Sequence, residues 1–247
     1  MIFLGDTHGN DAFIQWTIKQ KKITNEHIIH VGDYGVGFTR TSNEIKKLEF
    51  FNEFLKERDI TLHVIRGNHD DPKFFKGDYL LSNLKLHPDY TVLEIENKKI
   101  LGIGGAISID RVPRRLETNS HWEDELFVLN EDFLKEVRGI DILVTHTTPS
   151  FIPPINVPGK TPEIINRFAT YDDKLMDDLI LERELLSTAF NIINENNNIT
   201  HHFYGHFHQN IRTLRFNCQH ICLNIGEFFP LINYTDYEKE LNKKYGK

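Results

Sequence analysis

Only two cysteines occur in the 247 residues, Cys218 and Cys222. Their C-x3-C spacing offers half a zinc site at most, because no second pair completes four ligands. Two thiols on one strand in a reducing compartment is the plainer reading. No apolar stretch approaches the ~18 residues that a membrane span needs. Strand-like sequence begins at Ile2, which leaves no room for a signal or transit segment. A basic excess is missing as well, since the formal charge is −7. A chain that grips extended nucleic acid through phosphates is usually basic, so that partner is disfavoured. Together these absences lead us to expect a cytoplasmic protein with no membrane association. Oligomeric state is not written in the composition.

What is present suffices for a core. Apolar residues make up 39% of the chain, a modest share, but eighteen Phe and eight Tyr add bulk to the Ile and Leu. The length fits a single domain over 1–247, with no internal repeat or low-complexity linker. Residues 235–247 are polar and read as a C-terminal tail, with a weakly held helix from Asp236.

The first seventy residues alternate strand and helix. Strand-like runs at 2–5, 27–31 and 60–66 are separated by helical patterns over 11–21 and 42–58. In the first helix Phe13, Ile14, Trp16 and Ile18 are the apolar candidates; in the second, Ile45, Leu48, Phe51, Phe54 and Leu55 recur at helical spacing. Such alternation predicts an α/β fold with parallel pairing. Thr91–Ile95 and Lys99–Ile103 then read as a hairpin, followed by an irregular stretch from Asp110 to Asn130. A short helix near 130–138 precedes a strand at 140–145. Pro149, Pro153, Pro154, Pro158 and Pro162 make the next segment a stiff surface loop. The longest helix spans about 173–196, with Leu175, Leu179, Leu186, Phe190 and Ile193 on one face. Strands near 200–204, 210–216 and 219–225 complete the pattern.

Five short stretches carry the chemistry: Asp6-Thr7-His8, Gly32-Asp33, Gly67-Asn68-His69-Asp70, His146, and Gly205-His206-Phe207-His208. Four directly follow an apolar, β-branched run, and the fifth follows the shorter run His202-Phe203-Tyr204. Singly they say little. Asp6-x-His8 places two ligand types on one face of an extended segment but recurs by chance. A lone Gly-Asp is more often turn chemistry. His146 alone is as readily a satisfied loop histidine as a ligand. Five strand ends that stop at carboxylate, amide or imidazole groups are another matter, because such groups rarely belong in a core.

In order and composition these stretches resemble the calcineurin-like metallophosphoesterase family, whose pattern is D-x-H, G-D, G-N-H-D or G-N-H-E, a lone H, and G-H-x-H. The resemblance covers Asp6 to His208. It implies a four-layer αββα sandwich of two mixed β-sheets flanked by helices, with two divalent metal ions at the C-terminal strand ends, where α/β sheets generally bind ligands. Carried over by position, one ion takes Asp6, His8, Asp33 and His208. The other takes Asp33, Asn68, His146 and His206, and Asp33 bridges them. Mixed nitrogen and oxygen donors suit Mn, Fe, Zn or Co, with Mn our first choice. The implied reaction is in-line attack on a phosphoester by a hydroxide bridging the two ions. His69 resembles the family's general acid, with Asp70 orienting it and holding it cationic. For this pair the alternative is a hydrogen-bonded structural turn.

Substrate preference is less sharply drawn. Arg66 before Gly67, and Gly5-Asp6-Thr7-His8-Gly9, resemble the serine/threonine protein phosphatase branch. Gly32-Asp33-Tyr34-Gly35 lacks that branch's Asp-Arg-Gly, however, and Asp70 in place of Glu resembles diesterase-type members. Arg66, Arg111, Arg114 and Arg115 are the candidates for phosphate contact, since guanidinium forks suit phosphate oxygens. A solvated basic loop is the alternative for the last three. Tyr34, Phe38 and Trp122 either stack on a leaving group or simply pack. The remaining histidines, among them His27, His30, His63, His87, His202 and His220, read as surface or packing residues. We therefore expect a phosphomonoester phosphatase acting on a phosphoprotein or small molecule. The alternatives are a phosphodiesterase or nucleotide hydrolase with the same centre, and, less favoured, a non-catalytic scaffold of the same fold.

Overall fold

Inner strands such as Ile2-Phe3-Leu4 and Ile142-Leu143-Val144 are near-continuous apolar runs, which supply apolar side chains to both faces of each sheet. A computed structural model of the chain describes residues 1–118, 120–154 and 163–231. One sheet has the order β11 (Phe228–Pro230), β1 (Ile2–Leu4), β2 (Glu26–His30), β3 (Ile60–Val64), β4 (Leu84–Leu86). Its pairs are parallel except β1 with β11. The other runs β5 (Thr91–Ile95), β6 (Lys98–Ile103), β7 (Ile142–Thr145), β8 (His201–Tyr204), β10 (Cys218–Cys222), β9 (Ile211–Arg215). There β6, β7, β8 and β10 pair in parallel, while β5 and β9 close the edges antiparallel.

The sheets pack face to face. Phe3, Ile29, Val31 and Ile65 from the first share a cluster with Ile100, Ile142, Val144 and Phe203 from the second. The rings of Phe3 and Phe203 stack across this layer, 3.6 Å apart and within 7° of parallel. Helices cover the outer faces. α1 (Asp11–Lys21) and α2 (Thr41–Lys56) lay Ile14, Ile18, Leu48, Phe51 and Leu55 against Ile28, Leu62 and Val64. α4 (Glu131–Glu136) and α6 (Leu175–Asn196) cover Leu101, Ile103 and Leu143 with Leu134, Leu186, Phe190 and Ile193. The result is a four-layer αββα sandwich.

Several expectations need correction. Trp16 is 59% exposed and lies outside the core. Leu179 leaves the packed face of α6 and lines a cleft instead. β4 and β11 are three-residue strands too short for a periodic signal. The stretch after β6 is not wholly irregular, because it contains α3 (Arg111–Pro113) and a π-helical turn at Arg114–Thr118. α5 (Glu163–Ala169) follows the proline-rich segment. That segment's later prolines, Pro158 and Pro162, and the expected tail at 235–247 lie outside the described residues. Among the described residues no helix is long and apolar enough to cross a membrane.

Candidate metal centre

Parallel pairing sets the site. β1, β2 and β3 are parallel neighbours in one sheet, and β7 and β8 in the other, so their C-terminal ends open together. Asp6 and His8 follow β1, Asp33 follows β2, and Asn68, His69 and Asp70 follow β3. His146 directly follows β7, and His206 and His208 follow β8.

The connecting turns are tight and strained. His8, Asp33, His206 and His208 have φ values of 48°, 56°, 65° and 51°. Non-glycine residues seldom adopt this left-handed conformation, and such strain persists only where neighbours enforce it. Here the enforcement is visible. The amides of Thr7 and His8 both donate to Asp33 O at 3.0 and 2.9 Å. His69 N donates to Asp33 Oδ1 at 2.7 Å, and His206 N to Asp6 Oδ2 at 3.0 Å. A side chain at Gly67 would place its Cβ 2.2 Å from Asp33 N and Oδ1, so only glycine lets the third loop pass.

Two groups of donor atoms converge. In the first, atoms of Asp6, His8, Asp33 and His208 lie within 4.8 Å of one another, and in the second so do those of Asp33, His146 and His206. His208 Nε2 is 3.1 Å from Asp6 Oδ2 and 3.2 Å from His8 Nε2. His146 Nε2 is 3.1 Å from Asp33 Oδ1. Asn68 joins the second group, its Oδ1 lying 3.0 Å from His146 Nε2 and 2.9 Å from His206 Nδ1.

This donor set fits divalent cations. Asp6 Oδ1 is buried without a hydrogen-bond partner, an arrangement that calls for an ion or water. His146 Nδ1 lies 2.9 Å from the Val31 carbonyl, which can only accept, so Nδ1 carries the proton and Nε2 points inward with a lone pair for a metal. Burial alone would lower the pKa of His146, but the Asp33 carboxylate and, behind it, Asp6 raise it to about 10. The two carboxylates thus favour a positive charge at this position. Burial would raise Asp33, yet His146, His69 and His8 hold it well below the usual carboxylate range. His206, by contrast, is pushed down to about 3 by burial and by His146.

His69 belongs to neither donor group and lines the cleft above them. Its ring lies edge-on to His8, with centroids 5.2 Å apart, and nearly parallel to Phe38 at 6.1 Å. Trp122 meets Phe38 edge-on, so these two aromatics pack behind His69. Burial lowers the His69 pKa, Arg114 adds to the lowering, and Asp33 and Asp110 oppose it. Asp70 does not orient this ring. Its carboxylate accepts four backbone N–H groups instead: Gly67 at 2.8 Å, Gly35 at 2.7 Å, Tyr34 at 3.2 Å and Val36 at 3.3 Å. Asp70 therefore clamps the third loop to the second.

The four arginines are also placed differently from expectation. Arg66 is 4% exposed, pairs with Asp89 at 2.8 Å and donates to the carbonyls of Asp124, Glu125 and Leu126. Arg111 is held between Asp172 at 2.5 Å and Asp178 at 2.6 Å, which raises its pKa further. Arg114 is buried against Ser108, Ser120 O and Glu125. Arg115 is exposed, with His121 Nε2 3.2 Å away. None of the four lines the cleft. Their local sequence carries no sign of these partners, most of which are distant in the chain.

Sequence reasoning passed over Ser108 and Asp110. Asn68 Nδ2 donates to Ser108 Oγ at 2.9 Å, and Asp110 lies on the cleft wall beside His69. The available signal was positional. β6 is parallel to β7, so the loop after β6 opens towards the same strand ends as the ligands. His30 is a further inner support: it is fully buried, Gly32 N donates to its Nδ1, and its Nε2 is 2.9 Å from Thr7 Oγ1.

The family model of calcineurin-like phosphoesterases matches residues 1–210. No curated protein sequence matches the chain significantly. Among solved structures, a dimetal phosphatase from Danio rerio is 12% identical, with 91% of this chain and 87% of that chain covered at a TM-score of 0.50. The phosphopantetheinyl hydrolase of Mycobacterium tuberculosis is 15% identical, with 90% and 89% covered at a TM-score of 0.43. Vps29 of Entamoeba histolytica, complexed with zinc, is 13% identical, with 94% and 80% covered at a TM-score of 0.33. At 12% identity the likeness to the Danio rerio phosphatase is one of fold, and it agrees with the two-sheet sandwich described above. With more than four fifths of its length matched to the family and its strand-end ligand groups assembled at one place, the chain belongs to the calcineurin-like phosphoesterases, metal-dependent hydrolases of phosphoesters.

Proposed function

We propose that this protein hydrolyses phosphomonoesters at two divalent cations. One would be held by Asp6, His8, Asp33 and His208, and the other by Asp33, Asn68, His146 and His206. The observation that carries this reading is the convergence of two donor groups on one shared carboxylate, Asp33. Two dications a few ångströms apart repel, and a bridging anion offsets that repulsion. Nitrogen and oxygen donors without sulfur favour Mn, with Fe, Zn or Co as the alternatives. When bound, such cations neutralise phosphoryl oxygens and acidify a water molecule to serve as nucleophile.

The remaining work falls to side chains of the chain. The His69 imidazole is part of neither donor group yet lines the same cleft, which suits a proton donor to the leaving alcohol oxygen. Burial lowers its pKa overall, and Asp33 and Asp110 oppose that lowering. Asp70 acts as a positioning residue by fixing the loop that carries Asn68 and His69. Both sheets contribute ligands, which supports treating the chain as one domain. The free, buried thiols of Cys218 and Cys222 suit a reducing, cytoplasmic setting.

The deciding experiment compares turnover of 4-nitrophenyl phosphate and bis(4-nitrophenyl) phosphate in the presence of Mn. Preference for the monoester is expected. A strong preference for the diester would replace this reading with a phosphodiesterase at the same centre. Absence of metal-dependent turnover on both, and on a wider panel of phosphoesters, would leave a non-catalytic scaffold.

A further inference from the structure

The cleft above the ligands has a volume of about 460 Å³, room for a small molecule rather than a phosphate ion alone. Its lining divides by chemistry. The ligand residues and His69 form the polar part. Most of the remainder is apolar: Ile109, Ile164, Ile165, Phe168, Leu179 and Phe207. Three of these belong to α5, a helix with no buried residue, and Ile164 is 49% exposed. Apolar side chains held open beside a polar floor mark a surface that gains by covering an apolar ligand group.

The charges around the cleft narrow the ligand further. Among the described residues no lysine or arginine lines it. Arg66 and Arg111 are tied to aspartates, and Arg114 lies against Ser108 and Glu125. Asp110 lies on the same wall, its Oδ1 3.8 Å from Arg114 Nη1, so this carboxylate also occupies the nearest guanidinium. A second or third phosphate on a substrate would therefore find no lysine or arginine on the lining, the nearby Arg114 being already held by Ser108, Asp110 and Glu125.

Resting on the phosphoesterase reading above, we infer that the substrate carries a single phosphoryl group joined to an uncharged, largely apolar alcohol, selected by Ile164, Ile165 and Phe168. Nucleoside di- and triphosphates are disfavoured by the same wall.

Alkyl phosphates test this cleanly, because methanol and hexanol are leaving groups of similar acidity and differ mainly in apolar surface. With Mn present, kcat/KM for hexyl phosphate should exceed that for methyl phosphate by about tenfold or more, and ADP should bind less tightly than hexylphosphonate. Phe168→Ala and Ile165→Ser should each lower the hexyl-to-methyl ratio several-fold, chiefly through KM. Calorimetry with hexylphosphonate and methylphosphonate gives a second readout that needs no turnover, and the hexyl compound should bind more tightly. Equal rates for the two esters, tighter binding of ADP than of hexylphosphonate, or a ratio that neither substitution moves would overturn the inference and leave a general phosphoesterase standing. Failure to hydrolyse any ester, with metal bound, would overturn the hydrolase reading. In that event the phosphonate titration alone judges the apolar wall, and equal affinities would overturn it too.

Discussion

Asn68 donates from Nδ2 to Ser108 Oγ at 2.9 Å across forty positions of sequence. Ser108 Oγ also accepts from Arg114, and Ser108 N donates to Glu125 Oε1 at 3.0 Å. With its amide nitrogen so engaged, Asn68 turns Oδ1 towards His146 and His206. A serine outside the family's signature thus aims one of the proposed ligands.

Ser108→Ala should weaken the second cation by about 10- to 100-fold, the usual cost of losing a group that orients a ligand. The first cation should be spared, and Ser108→Thr should recover part of the loss. Metal titration monitored by bound-ion content reads this directly. Equal weakening of both ions would contradict the orienting role.

Asp33→Asn removes charge from both donor groups at once. Metal content should fall for both ions together, and turnover should drop by at least ~10²-fold. Elemental analysis of the purified variant would separate this from loss of a single ion.

His69→Ala should retain both ions. Its rate loss should be on the order of 10²–10⁴-fold for alkyl phosphates, which need a proton on the departing oxygen, and much smaller for 4-nitrophenyl phosphate. A fall in metal content on this substitution would move His69 into the ligand set.

Arg66→Ala tests the reassignment of the arginine beside the third motif. Its guanidinium is buried against Asp89 and three carbonyls, so removal should cost about 3 kcal/mol of stability. The KM of the folded fraction should change little. Chemical denaturation and steady-state kinetics on one preparation check both halves.

Glu182→Gln addresses pH. Burial raises Glu182 from 4.5 to about 7, so the native state holds a proton that the unfolded chain has lost. That difference makes the contribution of Glu182 to stability fall as pH rises from about 4.5 to about 7, and level off above. The neutral amide escapes this loss. Relative to the parent, the variant should therefore gain in melting temperature across that interval and hold its advantage at higher pH.

The sequence made the strand ends legible because each ligand follows an apolar, β-branched or aromatic run, and a carboxylate or imidazole there stands out against a core strand. α6 was legible through Leu186, Phe190 and Ile193, whose spacing keeps one face apolar. Pairing was not legible for β4 and β11, three residues each, since no period can show in so short a run. The arginines were misjudged for a different reason. A guanidinium near a phosphate-binding motif looks available until its partners are known, and those of Arg66 lie 23 to 60 positions away. Asp70 is the same case: three of its four amide donors come from Tyr34, Gly35 and Val36, which only the fold brings near. α5 escaped notice because its seven residues carry no buried stripe.

The division of ligands between the sheets has a mechanical consequence. Asp6, His8, Asp33 and Asn68 hang from the first sheet, and His146, His206 and His208 from the second. Each donor group draws on both, so each ion would act as a rivet through the seam that Phe3 and Phe203 close deeper in the sandwich. Filling the centre then does more than arm the chemistry. It fastens the two halves of the protein to one another, and the grip on metal and the cohesion of the fold become one property seen from two sides.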